Sequence, residues 1–517
     1  MRVVALWPGA TAEHVERYLV VPLELAFGGM PGLDHVDSAS RPGAGELRLA
    51  FKPATDRAAA RAEVNARLQV ATLPSDVEPM IAPDGRRAAV RFALDSASLP
   101  LVELRRLVDW ELRRAALTVP GVVEATSCGG ARRRIDVWAD EARMAATGVT
   151  VADLRAALAP ERVALGVRSA ESPDELGLRR VAVRSGAPVL VRDLARVEID
   201  AAPPDCLATL DGVGQSVVGQ VIARDGADVR AVAAAVQTRL SAAPLPPSVH
   251  LRLFGGEDET RWRIALPAGA RPDDVWRLVL MLRHAAGSGA DASPPALAQA
   301  GLRADEGQLD PAPGEAQVIV SSSSASRAAE IDRQLRAIPG VAILDVDGTA
   351  GDSLRARVVR VTGPDLASLR RAAQAVAASL GGAAVDGAAE APSVEVVPDR
   401  AALARYGLNV AELEQSVEAA TIGSVVGSLR AAADSFDIVL HAGKGDDRAE
   451  ALRTVTLAAP DGSRIPLSTV AAITATTQPA VILRHDGRRC IRLYARLPSS
   501  ASLPSVPLPP DVTIEWE

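Results

Sequence analysis

An α+β fold built by duplicating one long unit is what this sequence predicts, and three pairs of segments carry the prediction. PGATAEHVER at 8–17 returns as AGARPDDVWR at 268–277, DEARMAATGVTVADL at 140–154 as DRAALARYGLNVAEL at 399–413, and PLPPSVHLRLF at 244–254 as PLPPDVTIEWE at 507–517. The matched positions Gly9 and Gly269, Gly148 and Gly407, and Leu245 and Leu508 stand 260, 259 and 263 residues apart. A separation held across a whole half means a repeat of roughly 255 residues, far longer than the 20–50 of a solenoid. Two similar lobes facing each other across a cleft are expected, and such clefts are where ligands bind.

Each element has its local cause. RVVALW reads as a strand, PGAT as a turn, and residues from Glu13 to Phe27 as an amphipathic helix. Thr11 is placed to cap that helix, and Glu13 and Glu16 sit near its positive end. After the Pro31-Gly32 turn, LDHVDSAS and the alternating GELRLAFK read as strands, followed by the helix DRAAARAEVNARL. A short strand near 78–82 would complete a ferredoxin-like βαββαβ unit. The pattern begins again with strand AAVRFAL and a helix whose Leu101, Leu104, Val108 and Leu112 share a face. VVEATS, a Gly129-Gly130 turn and RRIDVWA then read as a hairpin. Thr150 and Asp153 form a capping pattern ahead of VADLRAALA. The strands VVGQVIA and VHLRLF and the helix DVRAVAAAVQTRL come only after 205, so residues 166–203 interrupt the unit. The second half repeats the plan through WRIAL, DDVWRLVLMLRHA, QVIVSS, RAAEIDRQLRAI, VAILDVD, ARVVRVT, LASLRRAAQAVAASL, VEVVP and VAELEQSVEA. Residues 285–315, rich in Ala, Gly, Pro and Asp, read as a flexible surface loop.

Composition narrows the functional classes. At 517 residues the chain needs several cores. With 48% apolar but only 3% aromatic residues, Ala, Val and Leu must fill those cores. A net charge of −7 with both signs interspersed argues against a nucleic-acid surface. Cys128, Cys206 and Cys490 match no metal or redox spacing and read as buried free thiols. No run approaches the 18 or so apolar residues of a membrane span, and MRVVALWPGA lacks the apolar core and cleavage site of a signal peptide. No GxSxG, P-loop or dinucleotide fingerprint is present, SSSSAS at 321–326 reads as a strand end and helix cap, and the chain is expected not to be an enzyme.

The segments WPGATAEHVERYLVVPLELAFGGMPGLDHVDSAS, VPGVVEATSCGGARRRIDVWADEARMAATGVTVADL, PDRAALARYGLNVAELEQSVEAATIGSVVG and RIPLSTVAAI resemble the resistance-nodulation-division efflux transporters, in their heavy-metal branch. The resemblance runs through nearly the whole chain in family order. It implies four βαβ, ferredoxin-like porter subdomains with a docking insertion in each half, projecting into the periplasm as a trimer that meets an adaptor and an outer-membrane channel protein. The subdomains then fall at 1–87, at 88–255 with a short insertion at about 166–203, at 256–350 with the loop 285–315, and at 351–517 with an insertion at about 426–476. Transporters of this kind carry twelve membrane helices and a proton-relaying set of carboxylates within them. Neither is legible here, so this polypeptide is expected not to pump by itself.

Candidate metal ligands are few. Copper-exporting relatives use methionine pairs, since soft thioethers suit Cu(I). Of the five Met here only Met281 lies in the second half, in the apolar run WRLVLML, which disfavours such a relay. The densest set of harder ligands is His441, Asp446 and Asp447 in HAGKGDDR, where Lys444 and Arg448 oppose a cation. His485-Asp486 precedes Gly487 as Asp211 precedes Gly212 in the first half, which a turn explains. No cofactor is expected. Two readings follow: the porter and docking module of a cation efflux pump, placed in the periplasm, or a membrane-free scaffold or binding protein of the same fold, placed in the cytoplasm.

Overall fold

The computed structural model describes residues 1–75, 77–82, 88–159, 172–184, 186–210, 215–224, 226–254, 259–265, 272–286, 296–301, 315–321, 325–338, 341–348, 357–381, 383–421, 423–431, 434–441, 452, 455–460, 463–495, 497 and 501–517. It is a mixed α/β chain in two compact units. The larger holds residues 1–130, 204–391 and 478–517, and the smaller holds 131–203 and 392–477. The smaller unit thus extends beyond the stretches 166–203 and 426–476 expected as insertions.

Three sheets make up the larger unit. The widest has nine strands among the described residues, in the order Thr513–Trp516, Arg357–Thr362, Arg488–Ala495, Ile482–His485, Leu33–Arg41, Ala44–Phe51, Arg2–Leu6 and Met80–Ala82, with Ala384–Asp386 beside Arg488–Ala495. Its middle pairing is antiparallel and brings the two halves of the chain together, Asp37 opposite His485 and Ser38 opposite Arg484. A four-stranded sheet runs His250–Phe254, Ala88–Asp95, Val217–Ala223, Val122–Cys128. A five-stranded sheet runs Cys206–Leu210, Ala296–Gly301, Glu315–Ser321, Glu259–Ala265, Ala342–Gly348, so its first strand is donated by the first half.

Local chemistry sets the helices. Thr11 accepts from the His14 N–H, as its position foretold. The helix then widens into a π-turn at Glu16–Val20, where the Val21 N–H reaches back to Glu16 O. Pro22, which has no donor, follows at once, so the widened turn absorbs a residue that would otherwise interrupt the ladder. The helix begun at Leu101 contains a second π-turn, Val108–Leu112, and buries Leu104, Leu107, Val108 and Leu112 against the four-stranded sheet. Asp56 and Asp228 cap the helices Arg57–Val70 and Val229–Ser241.

In the smaller unit, strands Ala195–Ala201, Arg133–Ala139, Asp434–His441 and Ser424–Ala431 form a sheet in that order, its central pair parallel. Thr150 and Asp153 complete a full capping box at the start of Val151–Leu158. Ile135, Val137, Leu154, Leu440 and neighbouring aliphatics fill this unit's core.

Three expectations are corrected. Val122–Cys128 and Arg133–Ala139 do not form a hairpin, because they lie in different sheets and the chain leaves the larger unit after Gly130. Gly129 and Gly130 have φ of +88° and +67°, and a Cβ on Gly129 would lie 2.1 Å from Ser216 O. These glycines serve a crowded exit where only hydrogen fits. Within the stretch read as a loop at 285–315, Ala296–Gly301 is a strand with Leu297, Ala298 and Ala300 buried, while 287–295 and 302–314 lie outside the described residues. Its alanines disguised it, since small side chains carry little hydrophobic signal. Finally, Cys128 and Cys206 are joined in a disulfide, leaving Cys490 as the buried free thiol.

Candidate functional site

The junction of Leu33–Arg41 with Ile482–His485 concentrates charge that water hardly reaches. Arg484 is the hub: its Nη1 donates to Glu16 Oε1 at 2.9 Å and its Nε to Glu24 Oε2 at 3.0 Å. Arg489 Nε donates to the same Glu16 at 2.7 Å, and Ser38 Oγ donates to Glu24 at 2.6 Å. One residue further along the paired strands, Asp37 Oδ1 lies 2.8 Å from His485 Nδ1 and accepts from Arg492 Nη2 at 2.7 Å. The His35 and His485 rings are 5.4 Å apart, and His35 Nε2 is 3.7 Å from Asp37 Oδ2.

Competition between burial and guanidinium decides each carboxyl. Burial alone would raise Glu16, but Arg489 and Arg484 together hold it below its usual value. Asp37 is likewise lowered against burial by Arg492, His485 and His35. Glu24 goes the other way: its burial outweighs Ser38 and Arg484 and raises it. Beside this junction a cleft of about 810 Å³ is lined by residues of the first helix, among them Glu13, Glu16 and Arg17, by Arg484, Gly487, Arg488 and Arg489, and by Gly363, Pro364 and Asp511.

A second polar contact joins the nine-stranded and five-stranded sheets. Arg41 Nη2 donates to Glu315 Oε1 at 3.1 Å, and Arg263 Nη2 donates to Tyr494 Oη at 3.4 Å. Nearby Glu46 is buried, yet Arg48, Arg2 and Arg41 overcome that burial and bring its carboxyl down to about 2 from 4.5. A folded-state value below the unfolded one means the stabilisation is fully present above about pH 4.5 and is lost as the pH falls towards about 2. Glu46→Gln is therefore expected to flatten the fall of the thermal midpoint across that acid window. An unchanged acid slope would contradict the assignment.

The residues singled out from sequence fall elsewhere. His441 lies in the smaller unit with Nε2 2.8 Å from Asp136 Oδ1 and its ring stacked on Trp138 at 4.1 Å between centroids. Asp446 and Asp447 lie outside the described residues, as do Asp211 and Gly212. Asp486 and Gly487 have φ of 45° and 77° and form the turn between Ile482–His485 and Arg488–Ala495. Asp486 also accepts from the Val36 N–H at 2.9 Å, which ties that turn to the first half. Among the described residues no group of three His, Cys, Asp or Glu is placed to hold a metal ion, and no helix is long and apolar enough to cross a membrane. Sequence reasoning missed Glu16, Glu24, Asp37, Arg484, Arg489 and Arg492. The available signal was RHDGRRCIRLYAR at 484–496, where arginines interrupt an otherwise apolar strand and so need partners where it is buried.

The profile of the AcrB/AcrD/AcrF family matches residues 1–255 and 323–508. Among curated proteins, the nickel and cobalt resistance protein CnrA of Cupriavidus metallidurans is 29% identical over 296 residues, covering 47% of this chain and 27% of that protein. The cation efflux system protein CusA of Escherichia coli K12 is 29% identical over 269 residues, covering 47% and 26% respectively. The chain thus spans about a quarter of the length of these relatives. A crystal structure of a heavy metal efflux pump superposes with a TM-score of 0.86 at 16% identity, covering 100% of this chain and 79% of that one. At that identity the likeness shows the fold. The resemblance read from the sequence stands.

Proposed function

The chain belongs to the AcrB/AcrD/AcrF family, and we propose that it is the porter and docking module of a heavy-metal or cation efflux system. The observation that carries this reading is the fold match over the entire chain, with both compact units included. On this reading the larger unit comprises four ferredoxin-like porter subdomains and the smaller one the docking region. The module works as a trimer in the periplasm and meets an adaptor and an outer-membrane channel protein. It guides the ion but does not energise transport, because coupling to a proton gradient needs ionisable groups within the bilayer.

The charged junction suits a mechanical role in such a module. Charges fixed by two or three partners hold the halves of the chain in one register, and an uncompensated ion there would be costly. Cation selectivity by carboxylate and imidazole fits the composition better than thioether relay; no ligand set is assigned, since His441, Asp446 and Asp447 are weak candidates in a segment whose sequence reads better as a solvated docking loop. Deleting the gene in its host is the test, with growth measured against graded zinc, cobalt, nickel, cadmium and copper. Increased sensitivity to one or more divalent ions is expected, with restoration by the intact gene. Unaltered tolerance to every one of them would overturn the reading.

A further inference from the structure

The disulfide Cys128–Cys206 occupies a particular place in the chain. Cys128 ends the strand Val122–Cys128 of the four-stranded sheet, and Cys206 begins the strand Cys206–Leu210 that completes the five-stranded sheet. Between them the chain runs out through residues 131–203 of the smaller unit and returns. The bond therefore closes the neck of that excursion. In the second half the matching neck, at 391/392 and 477/478, is closed without a covalent bond. There Glu390–Pro398 pairs with Ala471–Pro479, and the Ala480 N–H donates to Ala389 O at 2.9 Å.

We propose that Cys128–Cys206 is a covalent clasp that pins the donated strand Cys206–Leu210 to the four-stranded sheet, and that the chain completes its fold only where thiols are oxidised. The need for a clasp follows from that strand's position. It has five residues, its ladder partner among the described residues is Ala296–Gly301, and it sits at the edge of its sheet, where the Ser216 N–H also donates to Ala208 O at 3.0 Å. An edge strand this short, at the end of a loop whose two cysteines lie 78 positions apart, gains little from its own hydrogen bonds. Its apolar side is covered by Ala93, Val218, Leu297 and Ile319, a small cluster in which both cysteines are buried. A bond closing a long loop removes much of the freedom the unfolded chain would otherwise recover.

In the folded protein the third cysteine does not compete for this pairing. Cys490 is buried in the nine-stranded sheet, and that burial pushes its thiol up to about 12, so it carries no appreciable thiolate for exchange. Forming the clasp converts two thiols into one disulfide. Two electrons and two protons pass to a disulfide-bearing oxidoreductase, which leaves as the dithiol. Such partners act outside the cytosol, whereas cytosolic thiols are kept reduced. The clasp thus gives a compartment assignment that does not depend on transport activity.

The test uses the full chain taken from its own cells, lysed directly into acid to quench thiol exchange, then denatured and alkylated with a maleimide at neutral pH before digestion for peptide mass analysis. The expected result is a linked Cys128–Cys206 peptide without label, and labelling of both only after reduction. Label on both cysteines before reduction would overturn the oxidised assignment. Hydrogen exchange then tests the clasp, comparing the oxidised protein with the same protein reduced and alkylated, and with the double variant Cys128→Ser/Cys206→Ser. Exchange at 206–210 is expected to speed up at least about tenfold, and the thermal midpoint to fall by roughly 5–10 °C, with the nine-stranded sheet unaffected. Unchanged exchange at 206–210 after confirmed reduction would overturn the clasp. Because reduction of the wild-type chain gives the same readout, the proposal stays testable if the double variant fails to fold. Loss of the transport phenotype bears on the proposed function and leaves these outcomes as they are.

Discussion

Arg484→Ala is expected to destabilise the larger unit by about 3–5 kcal/mol, the range for removing one partner from a buried ion network. The side chain is only 12% exposed, and its loss strands two buried carboxylates at once, Glu16 and Glu24. Of these, Glu16 keeps Arg489, while among the described residues Glu24 keeps the Ser38 hydroxyl alone. Glu24 should therefore take up a proton, and the variant should lose least stability at low pH. The measurement is urea unfolding at about pH 5 and pH 8. Adding Glu24→Gln to Arg484→Ala should recover part of the loss, giving a coupling energy above about 1 kcal/mol. Additive effects would show that the contact does not hold the halves together.

Trp262→Ala is expected to cost about as much, 3–5 kcal/mol, by a different route. Trp262 lies on Glu259–Ala265, between Glu315–Ser321 and Ala342–Gly348, and is fully buried among Val279, Leu282, Val318 and Ile331. Its Nε1 donates to Asp332 Oδ1 at 3.3 Å, and Asp332 also accepts from Arg336 Nε at 2.9 Å. Truncation opens a cavity and also removes a donor from a buried carboxylate. Trp262→Phe keeps most of the volume and loses only the donor, so it should cost far less. Equal losses for the two variants, read from urea midpoints, would assign the effect to the hydrogen bond rather than to packing.

How much was legible beforehand depended on the range of the interaction. Thr11, Thr150 and Asp153 were readable as caps because a cap needs only three or four neighbouring residues. The alternation in GELRLAFK revealed a strand, although Ala44–Phe51 is buried on both faces over residues 44–47 rather than half buried. The Gly129-Gly130 pair was misread because two glycines at positive φ suit both a hairpin and a chain leaving its sheet. Only the partners of Arg133–Ala139, which are Ala195–Ala201 and, some 300 residues on, Asp434–His441, distinguish them. Ala296–Gly301 was hidden by small side chains that bury without hydrophobic emphasis. The charged junction was invisible for a similar reason: Glu16 and Arg484 are 468 residues apart, and nothing local marks either as buried. Cys128 and Cys206 also looked unrelated, since their contact follows from an excursion into another unit.

On the proposed function, this fold works in a membrane-associated efflux assembly outside the cytosol. Fractionating the native source cells and probing each fraction with an antibody to this chain tests that most directly. Signal is expected in the membrane fraction, on a polypeptide larger than 53.7 kDa or in a complex with one. A soluble cytosolic species at 53.7 kDa, with no membrane-associated form, would contradict it.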